Sequence, residues 1–133
     1  MTSCFGPQAV PMMTQASNVG EGWHPILREL EADLNQMDPD FTLQQVKEKF
    51  GGLRYYAQTS QGVDGAVHRE FHDRIRVAEE KSEHVCEQCG QPGENHAIHG
   101  WYKTLCETHL LELRRRRARE LDELRRVHDG GES

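Results

Sequence analysis

Three stretches of the chain repeat their apolar residues every three or four positions, and the segments between them do not. Ile26, Leu27, Leu30, Leu34 and Met37 form one stripe at helical spacing. Pro25 suits the first turn of that helix, and Asp38-Pro39 ends it. Val67, Phe71, Ile75 and Ala78 mark a second helix from Ala66 to His84, after a loop at Ser60 to Gly65 in which Asp64 is a candidate cap. Leu110, Leu113, Leu121, Leu124 and Val127 mark a third, from Leu105 to about Val127, interrupted by Arg117 and ended by Asp129-Gly130-Gly131. In the middle, Gly51-Gly52 separates Gln45 to Phe50 from Leu53 to Ala57. A Gly-Gly loop between aromatic and β-branched flanks predicts a hairpin. A short helix from Leu43 to Phe50, stopped by Gly51 and followed by a strand, fits almost as well. Met1 to Gly22 has no period and is rich in Ser, Thr, Gln, Gly and Pro, which predicts a flexible arm with Cys4 as an incidental thiol.

The chemistry is concentrated in Cys86-Glu-Gln-Cys89-Gly90 and Cys106-Glu-Thr-His109. Two ligand pairs, each with two intervening residues, can wrap one tetrahedral ion with three sulfurs and one nitrogen, the set that structural zinc prefers. Gly90 suits a knuckle in which φ is positive and backbone N–H groups aim at sulfur. Thr104-Leu105-Cys106-Glu107 reads as a capping box, with Thr104 as N-cap, so that Cys106 and His109 fall in the first turn of a helix. Gln91-Pro92-Gly93 turns the chain, and Ala97 to Lys103 supplies a hairpin in which Trp101 is expected to cover the site or join the two halves. Knuckle, hairpin, then ligands at a helix start: this order resembles the treble-clef zinc fold. Four protein ligands leave no position for water or substrate, so one structural zinc ion is expected, holding shape and activating nothing. Iron–sulfur or redox use of the pair fits less well, because Cys106 and His109 would then go unexplained.

Charge and length narrow the function classes. The net charge of −6 disfavours a protein that coats nucleic acid through its overall field. The distribution is uneven: residues 110–128 carry seven Arg against four acids, whereas residues 1–109 are strongly acidic. No run approaches the roughly twenty apolar residues of a membrane span. With no signal-peptide pattern at Met1 to Asn18, a reducing cytoplasm is the expected setting.

Three further motifs compete with plainer readings. His68-Arg-Glu-Phe-His72 lacks a Glu directly after the first His, so it is not a metalloprotease helix, and solvated histidines are expected. His96 and His99 lie in the zinc loop, where nucleases of the HNH type keep a catalytic His. Here Asn95-His96 stands where those relatives have Asp-His, and Leu110 follows His109 where they have Asn, so an HNH-like nuclease ranks third among the functions. Arg114, Arg115, Arg116, Arg119 and Arg126 are candidate phosphate contacts, although four consecutive arginines circle a helix and Glu112, Glu120, Asp122 and Glu123 supply local partners. The leucine stripe also admits self-association, giving a homodimer.

Gly22-Trp23-His24-Pro25-Ile26, Lys47-Glu48-Lys49-Phe50-Gly51-Gly52-Leu53-Arg54-Tyr55-Tyr56 and Gly100-Trp101-Tyr102-Lys103-Thr104-Leu105-Cys106-Glu107-Thr108-His109 together resemble a family of small proteins from bacteria, prophages and phages. The resemblance spans roughly residues 22–109. It implies zinc and a phage or prophage setting, hence a host-cell cytoplasm, and carries no activity. The sequence therefore predicts an α+β protein in four parts: a flexible arm (1–21), a small α+β domain of helix, hairpin and helix (22–84), a treble-clef zinc module with an Arg-rich C-terminal helix (85–128), and a tail (129–133). The leading function is a non-enzymatic binding module that recognises a host protein or complex, by way of inhibiting a defence or nucleic-acid-processing system. The alternative is a DNA- or RNA-binding accessory factor working through the arginines.

Overall fold

The computed structural model describes residues 15–98 and 100–132; Cys4 and His99, and most of the expected arm, lie outside them. In chain order the elements are α1 (His24–Met37), β1 (Thr42–Lys49), β2 (Gly52–Gln58), α2 (Gly65–Ser82), β3 (Glu94–Ile98), β4 (Trp101–Leu105) and α3 (Glu107–Glu132), preceded by 3-10 turns at Ala16–Asn18 and Glu21–Trp23. The α+β class holds: among the described residues, two antiparallel two-stranded sheets, β1–β2 and β3–β4, sit among three α-helices.

The apolar stripe of α1 is the wall of the main core. Ile26, Leu27, Leu30 and Leu34 are buried against Val46, Leu53 and Tyr55 of the hairpin and Phe71, Ile75 and Ala78 of α2. Each such side chain contributes about 1.5–3 kcal/mol by leaving water. Asp38 ends α1 and remains useful: its carboxylate accepts from the Ser60 N–H and hydroxyl, both at 2.7 Å, tying the loop after β2 to the helix end. The Ser60 N–H, opposed by burial and assisted by the Ser60 hydroxyl and the Asp40 N–H, holds the Asp38 carboxyl below its usual value.

Residues 42–58 form the hairpin, not the short helix. Val46 faces Tyr55 and Lys47 faces Arg54, with a register shift between Leu43 and Gln45. The loop is shifted by one from the Gly-Gly expectation. Phe50 and Gly51, with φ of 55° and 80°, are its two central residues, and Gly52 already belongs to β2. Positive φ at both positions matches the twist of the flanking strands, which is why such turns close two-residue hairpins.

A hairpin of two strands has two open edges, and side chains close both of them. On the β1 edge, Gln15 Oε1 accepts the Val46 N–H at 2.8 Å and Asn18 Nδ2 donates to the Val46 carbonyl at 3.2 Å. On the β2 edge, Ser82 Oγ accepts the Leu53 N–H and Glu79 Oε2 accepts the Tyr55 N–H, both at 2.9 Å. Part of the expected flexible arm is thus a structural element: Ala16 and Val19 are buried in the core, and the polar Gln and Asn that read as disorder serve as edge partners.

Other expectations fail locally. Asp64 precedes α2 but makes no side-chain cap; its carbonyl accepts from the His68 N–H instead. Helix α3 begins at Glu107, not Leu105, and runs through Asp129-Gly130-Gly131 to Glu132, so the expected 129–133 tail is helical up to Glu132. No helix among the described residues is long and apolar enough to cross a membrane.

Candidate metal centre

The centre is assembled from three local structures, each explicable from its residues. After α2 the chain forms the knuckle: the Gly90 N–H donates to the Cys86 carbonyl at 2.9 Å and the Cys86 N–H to the Gln91 carbonyl at 2.7 Å, with Gly90 at φ 84°. Any side chain at that φ is strained, so glycine follows from the turn. Strand β3 then pairs with β4, Glu94 opposite Leu105 and Ile98 opposite Trp101, returning the chain to the knuckle. Cys106 follows β4 directly, and His109 sits in the first turn of α3. Cys86, Ile98, Leu105 and Leu110 form a second small core around the centre.

One ligand atom from each of Cys86, Cys89, Cys106 and His109 lies within 4.8 Å of the others. Cys89 Sγ and Cys106 Sγ are 3.8 Å apart, and His109 Nδ1 is 3.6 Å from Cys86 Sγ and 3.2 Å from Cys106 Sγ. A tetrahedral ion with metal–sulfur bonds of about 2.3 Å separates its sulfurs by about 3.8 Å, so the spacing fits one ion held by all four atoms. The cluster is the only grouping of three or more potential ligand residues among the described residues. The His109 N–H, with the His109 ring and neighbouring sulfurs, pulls the Cys106 thiol down to about 7, against desolvation. Its thiolate in turn leads the causes that raise His109. The lowered Cys106 supplies the thiolate that a cation needs, and a bound cation would displace the proton that the thiolate otherwise holds on His109.

Two residues near the ligands have roles that differ from expectation. Thr104 is not the N-cap of α3. It lies in β4, fully buried, and its hydroxyl donates to the Gly51 carbonyl at 2.5 Å, across to the tip of the first hairpin. Asn95 Nδ2 donates to the Phe50 carbonyl at 3.0 Å, so two side chains of the metal-bearing hairpin hold that tip. Trp101 neither covers the metal nor joins the halves: it is 65% exposed at the β3–β4 turn. The residue that joins the halves is Trp23, fully buried, whose indole Nε1 donates to the Val85 carbonyl one residue before the first ligand, at 2.9 Å. Gly22 lets this happen. Its N–H donates to the Glu87 carbonyl at 2.9 Å, and a Cβ there would overlap the Cys86 carbonyl oxygen.

The remaining candidates are placed as follows. Arg114, Arg115, Arg116, Arg119 and Arg126 are all exposed on α3. Arg126 is 3.7 Å from Asp122, and Arg117 is 3.7 Å from Glu120. His68 and His72 stack edge to face, 4.6 Å between centroids, and His68 Nδ1 is 3.0 Å from Thr59 Oγ1. Burial, then the nearby His68, lowers His72. His96 lies on β3 opposite Lys103 and lines a cleft of about 380 Å³ beside Cys106 and Leu110.

An aromatic group escaped the sequence reading. Phe50, Trp101 and Tyr102 are 64%, 65% and 45% exposed, and Phe50 meets Tyr102 edge to face at 5.9 Å. Nothing in the linear pattern brought Phe50 and Tyr102 together, because they come from two separate hairpins.

No protein-family model, curated protein or solved structure matches the chain. The resemblance drawn from its motifs therefore stands on the Cys₃His cluster and the motif wording alone.

Proposed function

We propose that the protein is a non-enzymatic recognition module in which one structural zinc ion fixes an exposed aromatic ridge for binding another protein. Zinc is the ion that three thiolates and an imidazole at tetrahedral spacing select, and four protein ligands close its coordination. The observation that carries the reading is the junction between the tip of the first hairpin and the base of the metal-bearing one. Thr104 and Asn95, on strands β4 and β3 of the metal-bearing hairpin, grip Gly51 and Phe50, so the centre and the ridge of Phe50 and Tyr102 form one rigid unit. Phe50 is held at φ 55°, a conformation that costs a bulky residue about 1–2 kcal/mol, while its ring projects into solvent. Strain kept at an exposed aromatic supports a binding role, and clustered exposed aromatics are the usual anchors of protein interfaces. The phage or prophage setting implied by the motifs makes a host protein, such as a component of a defence or nucleic-acid-processing complex, the favoured partner.

The alternative is nucleic-acid binding through α3. It is favoured by Arg114, Arg115, Arg116 and Arg119 making no ion pair among the described residues. One experiment separates the two. Tagged zinc-loaded protein and a Phe50→Ser/Tyr102→Ser variant are used to capture partners from bacterial lysate, with and without nuclease. The proposal requires a stoichiometric protein that survives nuclease and is lost with the variant. Capture that vanishes with nuclease, or that ignores the substitutions, overturns it.

A further inference from the structure

Helix α3 spans 26 residues, about 39 Å, and only its first turns touch the rest of the chain. Leu110 is buried and Leu113 half-buried against the metal-site core, yet the same face continues into Leu121, Leu124 and Val127, which are 51%, 66% and 69% exposed. Most helical stability in proteins comes from packing an amphipathic face, so an uncovered apolar face along this helix calls for an occupant. We infer that the occupant is the α3 helix of a second copy of this chain, packed antiparallel about a two-fold axis between Ala118 and Arg119. The argument does not depend on the aromatic ridge.

The register follows from residue identities. Placing the axis there sets Leu113 opposite Leu124, Leu110 opposite Val127, and Arg117 opposite Glu120, each contact occurring twice. Arg116 then flanks Glu123 of the facing helix, again twice. Leu113 meets Leu124 and Leu110 meets Val127, each seam charge meets its opposite, and Leu121 lies level with Arg116 of the facing helix, whose aliphatic stem is the part that can lie along apolar surface. A parallel, in-register pair would stack Arg117 on Arg117 and Glu120 on Glu120, which disfavours it. Arg117 and Glu120 already lie 3.7 Å apart within one helix, so the central layer of the pair is a ring of four alternating charges. The ends of the seam are also accommodated. Leu110 lines the cleft of about 380 Å³ with Pro92, His96 and Leu105, and this is where Val127 of the second copy arrives.

Arg116 and Glu123 lie two helical turns apart, about 10 Å, too far to pair within one chain, and this makes the charge swap decisive. Sedimentation of the zinc-loaded full chain over a concentration series is expected to show a dimer. Arg116→Glu or Glu123→Arg alone should weaken it about tenfold or more, and the double variant should recover most of that loss, with zinc content and helicity unchanged in all four proteins. A monomer at every concentration overturns the inference and leaves the face to a different protein. A dimer unaffected by the single changes, or one not rescued by the double change, overturns the antiparallel register.

Discussion

Glu87 and Thr104 bond to each other twice. The Glu87 N–H donates to the Thr104 carbonyl at 2.9 Å, and the Thr104 N–H donates to Glu87 Oε2 at 3.0 Å. Glu87, 7% exposed, thereby clamps the knuckle to β4. Burial raises its carboxyl, while the Thr104 N–H and the Lys103 ammonium, 3.5 Å away, oppose the rise. Removing the carboxylate leaves a buried N–H unpaired, which costs about 1–3 kcal/mol. Glu87→Ala is therefore expected to lose about that much stability in urea titration of the zinc-loaded protein, while Glu87→Gln, which keeps an acceptor, loses less. No loss in Glu87→Ala would mean the clamp is unimportant, and an equal loss in Glu87→Gln would mean that an uncharged acceptor cannot keep the bond.

Metal removal should separate the two cores. The centre organises Cys86, Ile98, Leu105 and Leu110, whereas the larger cluster around α1, the first hairpin and α2 carries its own buried apolar set. Purified protein is expected to hold one zinc per chain, and Cys106→Ser to lose most of it. Chelation should expose the amides of β3–β4 and the start of α3 to hydrogen exchange first, with those of α1 and α2 following. Simultaneous loss of all protection would show that the larger core depends on the metal as well.

The helices, the first hairpin and the ligand set were legible because each has a local cause: a 3.6-residue period, a turn with glycine, or paired Cys/His spacing. What was not legible depends on partners distant in sequence. Gln15 and Asn18 look like linker residues until β1 offers them the free edge at Val46. Thr104 three residues before Glu107 satisfies the capping-box pattern, but the hydroxyl is taken by Gly51, 53 positions away. Trp23 takes the joining role expected of Trp101 for a similar reason, since no local rule says which tryptophan faces the interior.

Gly22 is the most sequence-intolerant position of the junction. A methyl group there meets the Cys86 carbonyl and the Gly90 N–H, backbone atoms that cannot rotate away. Gly22→Ala is expected to cost about 1–3 kcal/mol, the usual range for overpacking, and to weaken zinc retention through the displaced knuckle. Zinc release to a colorimetric chelator measures the second effect; unchanged release with unchanged stability would mean the two halves separate freely.

Glu31 gives the molecule a pH dependence. It is 4% exposed, Tyr55 donates to its Oε2 at 3.3 Å, and its Oε1 has no partner. Burial, only partly offset by the Tyr55 hydroxyl, pushes its carboxyl up to about 7. The folded state then binds a proton that the unfolded chain releases near 4.5, so stability falls as pH rises through the interval between the two values. Between pH 6 and 8 the loss from this group is about 1.4 kcal/mol. Glu31→Gln should flatten that slope and be the more stable protein at pH 8. An unchanged slope in denaturant titrations at the two pH values would remove Glu31 as its source.

Phe50 sets stability against recognition in one residue. At φ 55° a branched or aromatic side chain is strained, and the sequence that best suits a two-residue turn with both φ positive is Asn-Gly. Phe50→Asn creates that sequence with Gly51, relieving about 1–2 kcal/mol of backbone strain. It also removes the edge-to-face contact with Tyr102, worth about 0.5–1.5 kcal/mol. The Asn95 bond to the residue-50 carbonyl is untouched, because it is made by backbone. The variant should be as stable as the parent or up to about 1 kcal/mol more so, yet capture less of the partner. A protein under selection for stability alone would not keep phenylalanine there. Thermal denaturation and partner capture measured on the same preparation decide it: a destabilised variant that still binds at full strength would show that Phe50 serves the fold and not the interface.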